Sequence, residues 1–132
     1  MAEKGTLLMV GTAKGLFIFQ RAAGTDKWSI DGPHFAGLAV YSAFLDQRKG
    51  RNEMWAGPAS WHFGAELCKS ADMGKNWDMP ERRRIKMPAN TKTALENIWQ
   101  IAPGANDDTL YVGTAPGGLF ESHDRGETWK LN

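Results

Sequence analysis

The sequence is short of several features that would place it in a special class. Its single cysteine, Cys68, leaves no internal disulfide available. No apolar run approaches the length of a membrane-spanning helix, and the run at residues 7–10 is too brief for a signal-peptide core. The formal net charge of +1 provides no overall field for nucleic acid. We therefore expect a cytoplasmic protein that contacts neither membranes nor nucleic acid.

Long helices are also missing from the pattern. No segment keeps a 3.6-residue apolar period, and only residues 90–97 could form a helical turn. What is present is a chain of 132 residues, 42% hydrophobic and 23% charged, in which short apolar runs alternate with turn residues. This pattern predicts one folded all-β domain over residues 1–132.

One eight-residue phrase ending in tryptophan occurs twice, at residues 70–77 and 122–129, and a degenerate copy ends at Trp28. The three tryptophans recur about every 50 residues, which indicates a repeat architecture. In each full copy we expect the aspartate to accept amide hydrogen bonds in an Asx-type turn, and the glycine to adopt a positive φ. The residues of the phrase are Ser70, Asp72, Gly74, Trp77, Ser122, Asp124, Gly126, Thr128 and Trp129.

Each repeat reads as a set of short β-strands separated by turn residues. Residues 39–80 and 96–132 each contain four such strands, and residues 6–31 contain three. Four-stranded antiparallel units at constant spacing are typical of a β-propeller, whereas a sandwich has no reason to repeat one hairpin. We therefore predict a partial β-propeller of three blades, the first of which lacks one strand.

The repeated phrase resembles the Asp-box, or BNR repeat, of sialidases, Vps10-type receptors and photosystem assembly factors. Residues 10–19, 32–35 and 98–101 are further similar to the opening blades of bacterial sialidase-like or glycosyl hydrolase BNR-repeat proteins. In that family the Asp-box is remote from the catalytic centre, so the resemblance implies a structural role for the nine residues of the phrase. Asn76 departs from the threonine that Thr128 keeps.

Binding residues are expected in loops away from the repeated hairpins, because loops on a rigid scaffold concentrate function. The candidates carry aromatic, imidazole or guanidinium groups, which stack on rings, titrate near neutrality or bind oxyanions. They are His34, Trp61, His62, Arg82, Arg83 and Arg84. Ordinary loop roles are the alternative for each of them, and polyanion binding is an alternative for the arginine run. No third ligand stands at a metal-binding spacing, so we expect no metal and no cofactor.

Tyr41 and Glu96 are the candidates for catalysis, because both lie near the starts of first strands, which line the channel of a propeller. Glycoside hydrolysis needs two carboxylates, or a tyrosine nucleophile with a carboxylate partner. In sialidases the arginines that bind the substrate carboxylate come from separate blades, and the neighbours Arg82, Arg83 and Arg84 do not match that arrangement. We therefore expect a scaffold or interaction module for an unknown protein or carbohydrate ligand, with part of a sialidase-like glycoside hydrolase as the alternative.

Three blades do not close a ring, since propellers have about four to eight. An open blade leaves an apolar face and an unpaired edge. We therefore expect the chain to be a fragment of a larger propeller, and the alternative is a homo-oligomer in which copies complete the ring.

Overall fold

The structure, a computed structural model, describes residues 5–132 and contains three antiparallel β-sheets in succession along the chain. The first sheet has the order β1 (Thr6–Thr12), β2 (Gly15–Arg21), β3 (Trp28–His34). In the second sheet, β4 (Ala39–Asp46) pairs with β5 (Glu53–Ser60), and β5 pairs in turn with β6 (Gly64–Ala65) and β7 (Cys68–Ser70). The third sheet has the order β8 (Asn97–Pro103), β9 (Leu110–Ala115), β10 (Gly118–Ser122), β11 (Lys130–Leu131).

Helical structure in the described chain is limited to short 3-10 turns, so the all-β prediction is confirmed. They are Arg48–Gly50, Glu81–Arg83 and Ala89–Thr91. The last of these lies at the edge of the segment where the sequence allowed a helical turn. No helix of residues 5–132 is long and apolar enough to cross a membrane.

The second sheet departs in detail from the predicted strands. Its third strand, expected over residues 65–70, is split into β6 and β7, because Pro58 of the paired strand has no N–H to donate. Its fourth strand, expected over residues 76–79, is reduced to one bridge between Lys69 and Asp78. Pro80 follows two residues later and likewise lacks the N–H that a longer ladder would use.

Gly11 in β1 and Gly57 in β5 allow the next sheet along the chain to approach closely. We call the side of a sheet that faces the next sheet its forward face, and the opposite side its rear face. A Cβ atom on Gly11 would lie 2.2 Å from the Val40 carbonyl oxygen, and one on Gly57 would lie 2.8 Å from Ile98 Cβ. Any larger residue at Gly11 or Gly57 would force the sheets apart.

Polar contacts also join the second sheet to the third. The Ser42 hydroxyl donates to the Ile98 carbonyl at 3.0 Å. Arg48 donates to both oxygens of buried Asp46 at 2.9 Å and to the carbonyl of Asn106 at 2.7 Å. Burial by itself would raise the pKa of Asp46, but the hydrogen bonds from Arg48 outweigh it and hold that pKa below its ordinary value. Asp46 and Arg48 therefore form an ion pair that also links the second sheet to the third.

Candidate functional site

The two repeated hairpins, residues 70–77 and 122–129, have the same hydrogen-bond geometry. The serine hydroxyl donates to the aspartate Oδ1 at 2.8 Å and accepts the glycine amide at 2.8 Å in both hairpins. The residue between aspartate and glycine is left-handed in both, with φ of 59° at Met73 and 62° at Arg125. One sequence pattern therefore produces one geometry twice.

Asn76 replaces the threonine of the second hairpin without loss of a contact. Its backbone amide donates to Asp72 Oδ1 at 2.8 Å, and its side-chain amide donates to Oδ2 at 2.7 Å. Thr128 gives Asp124 the same two bonds through its amide and hydroxyl. The side-chain and backbone hydrogen bonds from Asn76 lower the pKa of Asp72 to about 2. The pKa of Asp124 is also lowered, because the bonds from Thr128 outweigh its partial burial.

Each hairpin packs on the sheet that precedes it in the chain. A Cβ atom on Gly74 would lie 2.6 Å from Ile18 Cδ1, and one on Gly126 would lie 2.3 Å from the Trp55 ring. Trp129 packs edge-on against the same Trp55 with ring centroids 6.3 Å apart. The glycines and tryptophans of the hairpins therefore lie in contacts between sheets. The serines and aspartates make hydrogen bonds within their own hairpin.

His34 lies against the first of these hairpins. Its Nδ1 accepts a hydrogen bond from Trp77 Nε1 at 3.4 Å, so its proton is on Nε2, which lies 3.1 Å from Asp31 Oδ2. Phe35 also packs against Trp77, with ring centroids 5.0 Å apart. The structure thus places His34 at the end of β3, in the packing between the first two sheets, so its expected position in a loop away from the hairpins was wrong.

The predicted arginine run lies beside the second hairpin, with carboxylates around it. Arg82 Nε is 2.9 Å from Glu127 of that hairpin, and Arg83 donates to Asp78 at 2.8 Å. Arg84 lies 3.3 Å from Glu81. We expected these arginines in a loop away from the hairpins, and that expected position was wrong. The arginine run lies beside the second hairpin because Glu127 of the hairpin, and Asp78 and Glu81 of the linker, pair with its charges.

An open groove of about 890 Å³ lies at the other end of the sheets, between the loop at residues 60–64 and the linker at residues 94–97. The loop is held in place because Gly64 lies against the Leu95 carbonyl, which accepts the Ala65 amide at 3.0 Å. Trp61 and Phe63 are 90% and 89% exposed at the tip of this loop. The residues of the groove that carry aromatic, imidazole or carboxylate groups are Tyr41, Trp61, His62, Phe63 and Glu96.

A pair of aromatic rings stands beside this groove on the first strands of two sheets. Tyr41 and Trp99 are both half-exposed, and their ring centroids are 5.1 Å apart at an interplanar angle of 64°. Each follows a buried aliphatic residue at an irregularity of strand pairing, between Val40 and Ala43 and between Ile98 and Gln100. Sequence reasoning missed Trp99 as a partner of Tyr41. The shared aliphatic–aromatic order at the start of both strands was the signal for it.

The chemistry available in the groove is limited. Glu96 is the one carboxylate among the residues that line it. In the described part of the chain, no group of three or more His, Cys, Asp or Glu side chains could hold a metal ion. Burial raises the pKa of the Cys68 thiol to about 12, and Cys68 packs where Phe120 does in the third sheet, so it is an unreactive core residue. The groove presents aromatic surface rather than a set of reacting groups.

Successive antiparallel sheets that pack face to face define the class of fold, a partial β-propeller. No protein-family model matches the chain, and no curated protein matches it. Its structure is similar to a solved structure described as "YCF48 bound to D1 peptide", with a TM-score of 0.53 and 13% sequence identity. The match covers 97% of this chain and 40% of that chain. The chain thus spans 40% of the length of that neighbour, and the likeness shows the fold alone.

Proposed function

We propose that the chain is a non-catalytic Asp-box propeller scaffold that binds a partner in the groove containing Tyr41, Trp61 and Phe63. The observation that carries this proposal is the exposure of Trp61 and Phe63, which are about nine-tenths exposed on a loop whose base is fixed. Aromatic residues are enriched at protein interfaces, and they supply most of the energy where they anchor a partner.

A protein segment is the partner class we favour, and a carbohydrate is the second. The structural neighbour is described as bound to a peptide, which supports a peptide as the first probe. Sugars also stack on exposed indole and phenyl rings. In this proposal residues 6–31, 39–80 and 96–132 are the three blades of one domain, and it acts in the cytoplasm.

The test uses a displayed library of random peptides and a glycan array, each probed with the 132-residue chain. We expect retained ligands whose binding falls at least tenfold in the double variant Trp61→Ala with Phe63→Ala. The matched control is Met79→Ala, which removes an exposed apolar side chain that does not line the groove. Binding that is equal in both variants, or ligands recovered by neither library, would count against the groove.

A second candidate, a sialidase-like glycoside hydrolase, is favoured by one observation: Tyr41 and Glu96 line the same groove. A tyrosine with a carboxylate partner is one arrangement that glycosidases use. Turnover of a fluorogenic glycoside that is lost in both Tyr41→Phe and Glu96→Gln would establish this candidate and exclude the non-catalytic scaffold.

A further inference from the structure

The first and third sheets each have a face that no other sheet of residues 5–132 covers. On the first sheet this is the rear face, and its residues form continuous rows across the three strands. Leu8 pairs with Phe19, which pairs with Ile30, and Val10 pairs with Phe17. The apolar residues of this face are Leu8, Val10, Phe17, Phe19, Trp28 and Ile30.

The same face is buried wherever another sheet precedes it. Leu8, Met54 and Leu110 occupy the same position in their respective sheets. Leu8 pairs with Phe19, Met54 pairs with Ser70, and Leu110 pairs with Ser122. Leu8 is 49% exposed, whereas Met54 and Leu110 are both 0% exposed. The rear faces of the second and third sheets therefore bury this position against a neighbouring sheet. The rear face of the first sheet leaves the same position exposed.

The forward face of the third sheet is open in the corresponding way. Gly113 takes the register position of Gly11 and Gly57, but no atom lies within 4 Å of the place where its Cβ would stand. Leu119 pairs with Gly113 as Leu16 pairs with Gly11. Leu16 is fully buried by the second sheet, and Leu119 is exposed. Within residues 5–132, the forward face of the third sheet therefore has no sheet packed against it.

We infer that two copies of this chain associate head to tail, with the forward face of the third sheet of each copy against the rear face of the first sheet of the other. Within residues 5–132 no sheet covers either face, and a second copy presents to each of them the kind of face that it packs against elsewhere in the chain. Two copies bring six sheets. Six is the one multiple of three within the range of about four to eight blades that propellers use.

The chemistry of the two faces supports this pairing. The contact would repeat one that the chain already makes twice, between its first and second and between its second and third sheets. The contact between copies would lack one element, because within residues 5–132 no strand pairs with the free edge of β1 to supply a counterpart of Val40 or Ile98. Gly113 would therefore stay uncovered in the dimer.

The experiment is sedimentation velocity of the purified chain across a hundredfold range of concentration, with Leu119→Arg, Leu8→Arg and their equimolar mixture. We expect the wild type to form a dimer and each single variant to be monomeric, because a head-to-tail joint needs both faces. The mixture should dimerise through its one intact joint, at least tenfold more weakly than the closed wild-type ring. Dimerisation of the mixture also shows that both variants are folded.

Three outcomes would overturn the inference. The first is a wild-type chain that stays monomeric while its near-ultraviolet circular dichroism shows a folded protein. The second is a single variant that dimerises as tightly as the wild type. That result would mean that the interface joins two identical faces, so that only one of the two substituted faces takes part in it. The third is loss of the dimer in Gly113→Ala, because no part of a second copy is expected to reach that position. Gly113→Ala is thus the matched control for Leu119→Arg.

Discussion

The hairpins that end at Trp77 and Trp129 differ from the hairpin of the first sheet, which ends at Trp28. In each of the two later hairpins the aspartate carboxylate accepts three hydrogen bonds from neighbouring groups. Their tryptophans pack on the preceding part of the chain. The turn of the first hairpin is closed by Thr25 donating to the Ala22 carbonyl at 3.3 Å. Trp28 is 40% exposed, and Arg21 stands over its ring at 5.2 Å. The tryptophan is therefore partly buried where a preceding sheet packs against it, and it is exposed in the first sheet.

The largest effect should come from the glycine of the second hairpin. Gly126→Ala places a Cβ atom at a φ of 83° and 2.3 Å from the Trp55 ring, which is fully buried. The left-handed conformation costs about 1–2 kcal/mol, and overpacking adds about 1–3 kcal/mol. We therefore expect urea unfolding to report a loss of about 2–5 kcal/mol in the free energy of unfolding.

The matched control is Gly24→Ala in the first hairpin. Gly24 has a φ of 75°, but nothing lies within 4 Å of its Cβ position. Its substitution should cost only the conformational part, about 1–2 kcal/mol. Equal losses at Gly126 and Gly24 would mean that the hairpin does not press on the second sheet.

These hairpins were the part of the molecule that the sequence predicted best. Serine, aspartate and glycine act on neighbours within a few residues, so their spacing alone determines the turn. The groove and the arginines were harder to predict, because they depend on contacts between distant segments. The pairing of Arg82 with Glu127 joins residues that no local pattern relates. The partnership of Tyr41 with Trp99 likewise arises only when two first strands stand side by side.

The tryptophans provide the next test of the comparison. Trp129→Ala removes a half-buried ring that packs on Trp55, so we expect a loss of about 2 kcal/mol, below the about 3–5 kcal/mol of a fully buried aromatic. Trp28→Ala removes a half-exposed ring beneath Arg21, which is worth about 0.5–1 kcal/mol. Both are measured by urea unfolding at low protein concentration, where association does not contribute. A larger loss at Trp28 than at Trp129 would contradict the role given to the preceding sheet.

Acid should weaken the later hairpins selectively. The pKa of Asp72 is about 2 in the folded chain, below its ordinary value of 3.8. A lowered pKa stabilises the fold above pH 3.8, and this contribution is lost as the pH falls from about 4 towards 2. We expect the protection factors of the Gly74 and Asn76 amides, that is, their exchange relative to the intrinsic rate at each pH, to fall over that window. Asp72→Asn should flatten this response, and Asp26→Asn in the first hairpin should leave it unchanged.

The smallest effect should come from exchanging the residue in which the two later hairpins differ. Asn76→Thr keeps the backbone amide bond to Asp72, and its hydroxyl replaces the side-chain amide in the way that Thr128 serves Asp124. We expect a change within about 0.5 kcal/mol in the free energy of unfolding, as for a neutral surface substitution. Thr128→Val is the matched control: it keeps the backbone bond but removes the hydroxyl, which should cost about 1 kcal/mol. If Asn76→Thr were as damaging as Thr128→Val, the two hairpins would not be equivalent, and the asparagine would have a role that the shared geometry does not explain.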